Sequence, residues 1–278
     1  MNLPSKDDEF MRKRTLPVTL HLAAASCLAF VMTSAQVADA STVYWTDWQT
    51  SLPGNNFTGA GDFTAFGTIT TPTTAVAVTY HNAQGIAFYQ TGAPGQPDYF
   101  QAGGGRFPAT SPYTSALVDN IPTAAEMIAL QYAGNQTLSF SQAIANPVFS
   151  YVSLNGNGYS FNQDFDILSV GSVNGKDSGY FGPGTSYKSV VDHGGGNIEY
   201  QLLGTGEPHG TIRFTGAFST VSWTSLSNEN WNGFTVGVQG TAQEVFSTPE
   251  PSTVATAGFG LLLGVGAFVR RRRARLAA

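Results

Sequence analysis

The sequence predicts an all-β fold, a single antiparallel β-sandwich of jelly-roll type, and three observations predict it. Only 11% of the 278 residues are charged, while the chain holds 32 Gly, 19 Phe, 11 Tyr and 4 Trp. So much aromatic surface calls for a packed core, and few Lys and Glu beside abundant Gly and Thr disfavour long helices. Apolar and polar residues alternate in short runs, the period of a half-buried strand. Breaks rich in Gly and Pro separate the runs and read as tight turns.

In chain order, Val76, Val78 and Tyr80 alternate with Ala77 and Thr79, which is strand periodicity. Ile128, Leu130 and Tyr132 alternate with Ala129 and Gln131, although Pro122–Tyr132 is also the one stretch that reads as a short helix. Val148, Val152 and Leu154 share one face of the next run, with Phe149 and Tyr151 on the other. Phe165 and Ile167 oppose Asp164 and Asp166, and Ile212 and Phe214 oppose Arg213. Phe234, Val236 and Val238 oppose Thr235 and Gly237. Turns fall at Thr91–Pro97, Gly103-Gly104-Gly105, Gly182-Pro183-Gly184 and Gly194-Gly195-Gly196. About a dozen strands in roughly 200 residues fit one sandwich, and neither an internal repeat nor a linker divides residues 41–248.

The net charge of −5 conceals an asymmetry. Between Ser41 and Thr248 four basic residues face thirteen acidic ones, a net of −9, and the other nine Lys and Arg lie in the terminal segments. A domain this acidic repels phosphate backbones, which argues against nucleic acid as a partner. Cys27 is the single cysteine and sits in the N-terminal apolar run. The domain therefore has no disulfide, no thiolate metal site and no cysteine nucleophile.

Residues 1–40 read as a signal peptide, a substrate of signal peptidase. Arg12, Lys13 and Arg14 precede an apolar run from Leu16 to Met32, and Ala38-Asp39-Ala40 supplies the small-residue pattern for cleavage after Ala40. Met11, followed at once by Arg-Lys-Arg, is a second candidate start. The residues Ala24-Ala25-Ser26 before Cys27 lack the upstream Leu of a lipoprotein site, and the apolar run continues past it.

At the other end, Pro249, Glu250, Pro251 and Ser252 precede an apolar stretch that runs to Val269, and Arg270, Arg271, Arg272 and Arg273 follow. The eighteen residues from Ser252 to Val269 make about 27 Å of helix at ~1.5 Å per residue, just enough for a transmembrane helix. The prolines hold an extended backbone before the span. The arginines pin its far end on the cytoplasmic side of the inner membrane.

This three-part tail over residues 249–278 resembles the PEP-CTERM sorting domain of Gram-negative bacteria that secrete exopolysaccharide. The resemblance rests on Pro249, Glu250, Pro251 and Ser252, on the span with Gly258, Gly260, Leu261, Leu262 and Gly264, and on Arg270–Arg273. It departs in Thr248, where Val often precedes the motif. The resemblance implies an inner-membrane-anchored precursor that an exosortase processes and releases to the cell surface or the extracellular matrix. The run from Val221 to Gly237 is similar to the closing strands of sandwich domains in that group, which implies no activity.

Candidate chemistry in residues 41–248 is sparse. Asp164 and Asp166 lie two apart on one strand face, a spacing open to calcium coordination, to glycoside hydrolysis or to a solvated strand face. His81, His193 and His209 are scattered, without metal-ligand spacing, and read as exposed turn histidines. No G-x-S-x-G supplies a nucleophile, and the triple glycines lack the G-K-[ST] of a phosphate loop. Trp45, Trp48, Trp223 and Trp231 are candidates for stacking on sugar rings or for the core. Trp45 and Trp48, three apart, would face opposite sides of one strand, one inside and one outside.

With no catalytic constellation and no cofactor site beyond the calcium candidate, the sequence points to a non-enzymatic protein with a structural or interaction role. The alternative is a lectin-like module that contacts exopolysaccharide through a Trp or through calcium. The least favoured reading is a glycoside hydrolase that uses Asp164 or Asp166.

Overall fold

A computed structural model describes residues 41–246. The alternation read from the sequence becomes eighteen strands among the described residues. In chain order they are β1 (Tyr44–Trp45), β2 (Asp47–Leu52), β3 (Gly59–Ala60), β4 (Phe63–Thr70), β5 (Ala75–Asn82) and β6 (Gly85–Ile86). Then come β7 (Phe88–Thr91), β8 (Glu126–Leu130), β9 (Gly134–Ala145), β10 (Val148–Val152), β11 (Gly158–Phe161) and β12 (Asp166–Val170). The last are β13 (Gly184–Asp192), β14 (Ile198–Gly206), β15 (Gly210–Arg213), β16 (Ala217–Ser225), β17 (Asn232–Val238) and β18 (Gly240–Thr241), followed by a single turn of helix, α1 (Ala242–Phe246).

Two antiparallel sheets stack face to face. One has the order β12-β15-β10-β17-β8-β7 with β1 beside β17; the other runs β13-β14-β11-β16-β9-β5-β4-β2 with β18 beside β9. From β8 onward the chain crosses between sheets after nearly every strand, the one hairpin within a sheet being β13–β14. The strands β3 and β6 form a separate two-stranded ribbon.

The residues that alternation assigns to the inner face meet between the sheets. Val76, Val78, Tyr80, Leu138, Tyr159 and Trp223 come from the nine-stranded sheet, and Ile128, Phe149, Tyr151, Ile212, Phe234 and Val236 from its partner. Phe149 and Phe234 stack at 4.9 Å with their planes 6° apart, and Trp223 meets both edge-on. Buried phenols keep partners, as buried polar tips must: Tyr80 donates to Gln136 and Tyr159 to Asn232.

The seven-stranded sheet is buried on both faces in β8, β10 and β17. Its outer side is covered by the connection of residues 92–125, which packs Phe100, Tyr113 and Ile121 against Met127, Ala129 and Val152. Val118 of the same connection packs with Val43, Trp45 and Val148. The long loop is thus a third, irregular layer with its own apolar contacts.

This layer explains one correction. Pro122–Tyr132 is not a helix, because Glu126–Leu130 is a strand paired with both β7 and β17, and Ala125 takes a φ of 56° that interrupts any helix entering it. Pairing on both edges and burial on both faces override the local propensity of Ala-Ala-Glu-Met.

A second correction concerns Trp45 and Trp48. They do not share a strand: Trp45 pairs with Gly237 in one sheet, and Trp48 pairs with Gly67 in the other. The chain changes sheets at Thr46, whose backbone N–H and hydroxyl both donate to Val236 O, at 3.0 and 2.7 Å. The alternation count restarts there, and both indoles are buried, Trp48 between the sheets and Trp45 beneath the loop layer.

Candidate functional site

Because alternate residues of a strand face opposite ways, the outer side of the nine-stranded sheet displays what the core rejects. On its central strands those residues are small, polar and uncharged. Ser160 of β11 lies opposite Thr224 of β16, and Thr224 lies opposite Asn135 of β9. Ser222 lies opposite Thr137 one step along. Thr224 donates to Asn135 Oδ1 at 3.0 Å and Ser222 to Thr137 Oγ1 at 3.3 Å, which holds each rotamer in place.

One wall rises from the β13–β14 hairpin. Gly194, Gly195 and Gly196 all adopt positive φ, and Asn197 N donates to Gly194 O while His193 N donates to Asn197 O. The resulting turn brings His193 and Glu199 to the floor. Together with Asn162, these residues enclose an open groove of about 450 Å³, within the range of small-molecule sites.

Glu199 is the fixed charge of the groove. Its Oε1 accepts from Ser160 Oγ and Gln201 Nε2, both at 2.6 Å, and its Oε2 lies 2.7 Å from His193 Nε2. The Ser160 hydroxyl, the Gln201 amide and the His193 ring hold its carboxyl down at about 2. Neither Lys nor Arg lines the groove.

Of the other candidates, Trp223 is a core residue that also lines the groove, Trp48 is a core residue away from it, and Trp45 is buried beneath the loop layer. Trp231 is only half-buried and sits in an aromatic cluster, 4.9 Å from Phe88 and Tyr99 and 5.2 Å from Phe181. Of the four tryptophans it alone keeps appreciable exposure.

Asp164 and Asp166 are both exposed but turn to different partners. Asp164 pairs with Lys188 of β13 at 2.8 Å, and Asp166 with Arg213 of β15 at 3.3 Å. Among the described residues no group of three or more His, Cys, Asp or Glu is placed to hold a metal ion.

His81 and His193 are exposed and paired with Asp62 and Glu199. His209 corrects the expectation of a turn histidine. It is fully buried, stacks on Phe181 at 6.3 Å and meets the Tyr113 hydroxyl at 3.1 Å through Nδ1. Burial pushes it down to about 3.

Reading the sequence for chemistry missed Glu199 and the hydroxyl rows. The signal that could have found them is the recurrence of small polar residues at alternate positions on four separate strands: Asn135/Thr137, Ser160/Asn162, Glu199/Gln201 and Ser222/Thr224.

The segment expected to be a signal peptide, with Ala38 and Ala40, and the tail with Pro249–Ser252 and Arg270–Arg273, lie outside the described residues. In comparisons with known proteins, residues 247–273 match the family model for the PEP-CTERM protein-sorting motif. No curated protein and no solved structure matches the chain.

Proposed function

We propose, from the premise that this chain is a PEP-CTERM domain-containing exosortase substrate, that it acts by binding and not by catalysis. On this reading the exported β-sandwich works at the cell surface or in the exopolysaccharide matrix, and the groove on its nine-stranded sheet holds a saccharide segment. Signal peptidase and exosortase are its partners in export, and the inner membrane carries it before processing.

The observation that carries the reading is the array of uncharged hydroxyl and amide side chains across β9, β11 and β16, fixed in register and opening into about 450 Å³. Sugars are recognised through many such donors and acceptors, and preset rotamers reduce the entropy that binding costs. The hydrolase reading loses ground because Asp164 and Asp166 are bound to separate cations. Neither belongs to the groove.

Two experiments test the proposal. A glycan array probed with the full chain in detergent should give hits that the double substitution Ser222→Ala, Thr224→Ala abolishes; a blank array, or hits indifferent to the substitution, would remove the groove as the binding face. Mass spectrometry of the exported protein should find its C-terminus near Glu250 or Pro251. Intact Arg270–Ala278 on that protein would refute processing.

A further inference from the structure

Charge within the groove goes further than its hydroxyl rows. Glu199 is oriented by Ser160 and Gln201 on Oε1 and by His193 on Oε2. An ionised carboxylate has about four acceptor positions, so three donors leave roughly one unfilled, on Oε2. The side chain is 23% exposed and lines the groove, so the unfilled position is within a ligand's reach. No lysine or arginine lines the groove, and residues 41–246 carry four basic residues against thirteen acidic ones.

An acidic saccharide would therefore meet a preoriented carboxylate with neither Lys nor Arg nearby to offset it. A free amino group on the sugar would meet a charge-assisted hydrogen bond, shorter and about twice as strong as a neutral one. Resting on the saccharide-binding reading above, we infer that Glu199 is a specificity-determining residue. It directs the groove toward amine-bearing glycans and against glycans that carry carboxylate, sulfate or phosphate.

The fold's overall negative charge would give some of the same ranking, so the test separates the two. Binding of the full chain in detergent is measured by calorimetry with three probes: a fully deacetylated glucosamine hexamer, its fully N-acetylated counterpart and a hexameric oligouronate. The deacetylated probe should bind about tenfold tighter than the acetylated one, and the oligouronate weakest. Glu199→Gln should erase the gap between the first two and strengthen the third, whereas Glu207→Gln, which neutralises a carboxylate outside the groove, should leave the ranking intact. Glu199→Asp keeps the charge and should keep the preference for the amine at lower affinity, a check that survives poor folding of the Gln variant. Equal binding of the oligouronate and the acetylated probe, or a ranking that both Gln variants shift alike, overturns the role of Glu199 and leaves the binding reading standing. Silence with all three probes overturns both.

Discussion

The carboxyl group of Glu126 on β8 reaches across the sandwich to accept the backbone N–H of Trp48 on β2, at 2.7 Å. It serves the first residues after the chain has changed sheets, where a backbone donor would otherwise be buried without a partner. Burial pushes this carboxyl up to about 8, against the opposing effect of the Trp48 hydrogen bond.

A pH dependence follows. Glu126 and Glu229, the latter pushed by burial up to about 7, keep protons in the folded state that the unfolded chain releases above its ordinary carboxylate range near 4.5. Stability then falls as pH rises from about 5 to 8, since the folded state binds more protons there. In the acid direction His209, lowered to about 3, and Glu199, lowered to about 2, refuse protons that the unfolded chain accepts. Thermal midpoints should peak near pH 5, and Glu126→Gln should flatten the alkaline side. A midpoint that climbs steadily from pH 5 to 8 would contradict this assignment.

The stacked pair Phe149 and Phe234 joins the two central strands of the seven-stranded sheet, with Trp223 closing over it from the other sheet. Phe149→Ala should cost about 3–5 kcal/mol, the usual range for emptying a buried aromatic site. In a domain of this size that lowers the midpoint by about 10 °C. A loss under 1 kcal/mol by denaturant titration would mean that the site is not packed as described.

Gly179 lies against the imidazole of His209, so that a methyl added to it would fall within the ring. The ring is itself confined between Phe181 and Tyr113. Gly179→Ala should therefore destabilise the fold by at least ~1–3 kcal/mol, the range for overpacking. Gly195→Ala is the control: its φ is +64° but nothing lies within 4 Å, so it should cost only ~1–2 kcal/mol, the ordinary price of a left-handed alanine.

Asp164 and Asp166 are 60% and 59% exposed, and exposed ion pairs contribute only ~0–1 kcal/mol. Asp164→Asn and Asp166→Asn should each move the midpoint by less than about 4 °C, and millimolar calcium should leave it unchanged. A rise with calcium that Asp166→Asn abolishes would reinstate the pair as a metal site.

The strand faces were legible because burial acts on alternate residues: Val76, Val78 and Tyr80 point inward as their spacing requires, and so do Ile212 and Phe214. What defeated the count was a change of sheet. Thr46 resets the alternation between Trp45 and Trp48, and no residue type marks such a crossing. His209 misled for a different reason, since its neighbours Pro208 and Gly210 suggest a turn while its surroundings come from Tyr113 and Phe181, remote in sequence. The groove was hidden for the same cause. Asn135, Ser160, Glu199 and Ser222 become neighbours only through strand pairing.

On the export reading proposed above, the pairing of β17 has a consequence for how the molecule leaves the cell. This strand lies between β10 on one edge and β8 with β1 on the other, so Tyr44 finds its partner only in Val238. A chain threaded outward from its N-terminus cannot complete its seven-stranded sheet until residue 238 has emerged. That point comes just ahead of the sorting motif that begins at residue 247. On that reading the sheet closes only shortly before the matched tail follows, and a stall before residue 238 would leave the earlier strands with unpaired edges.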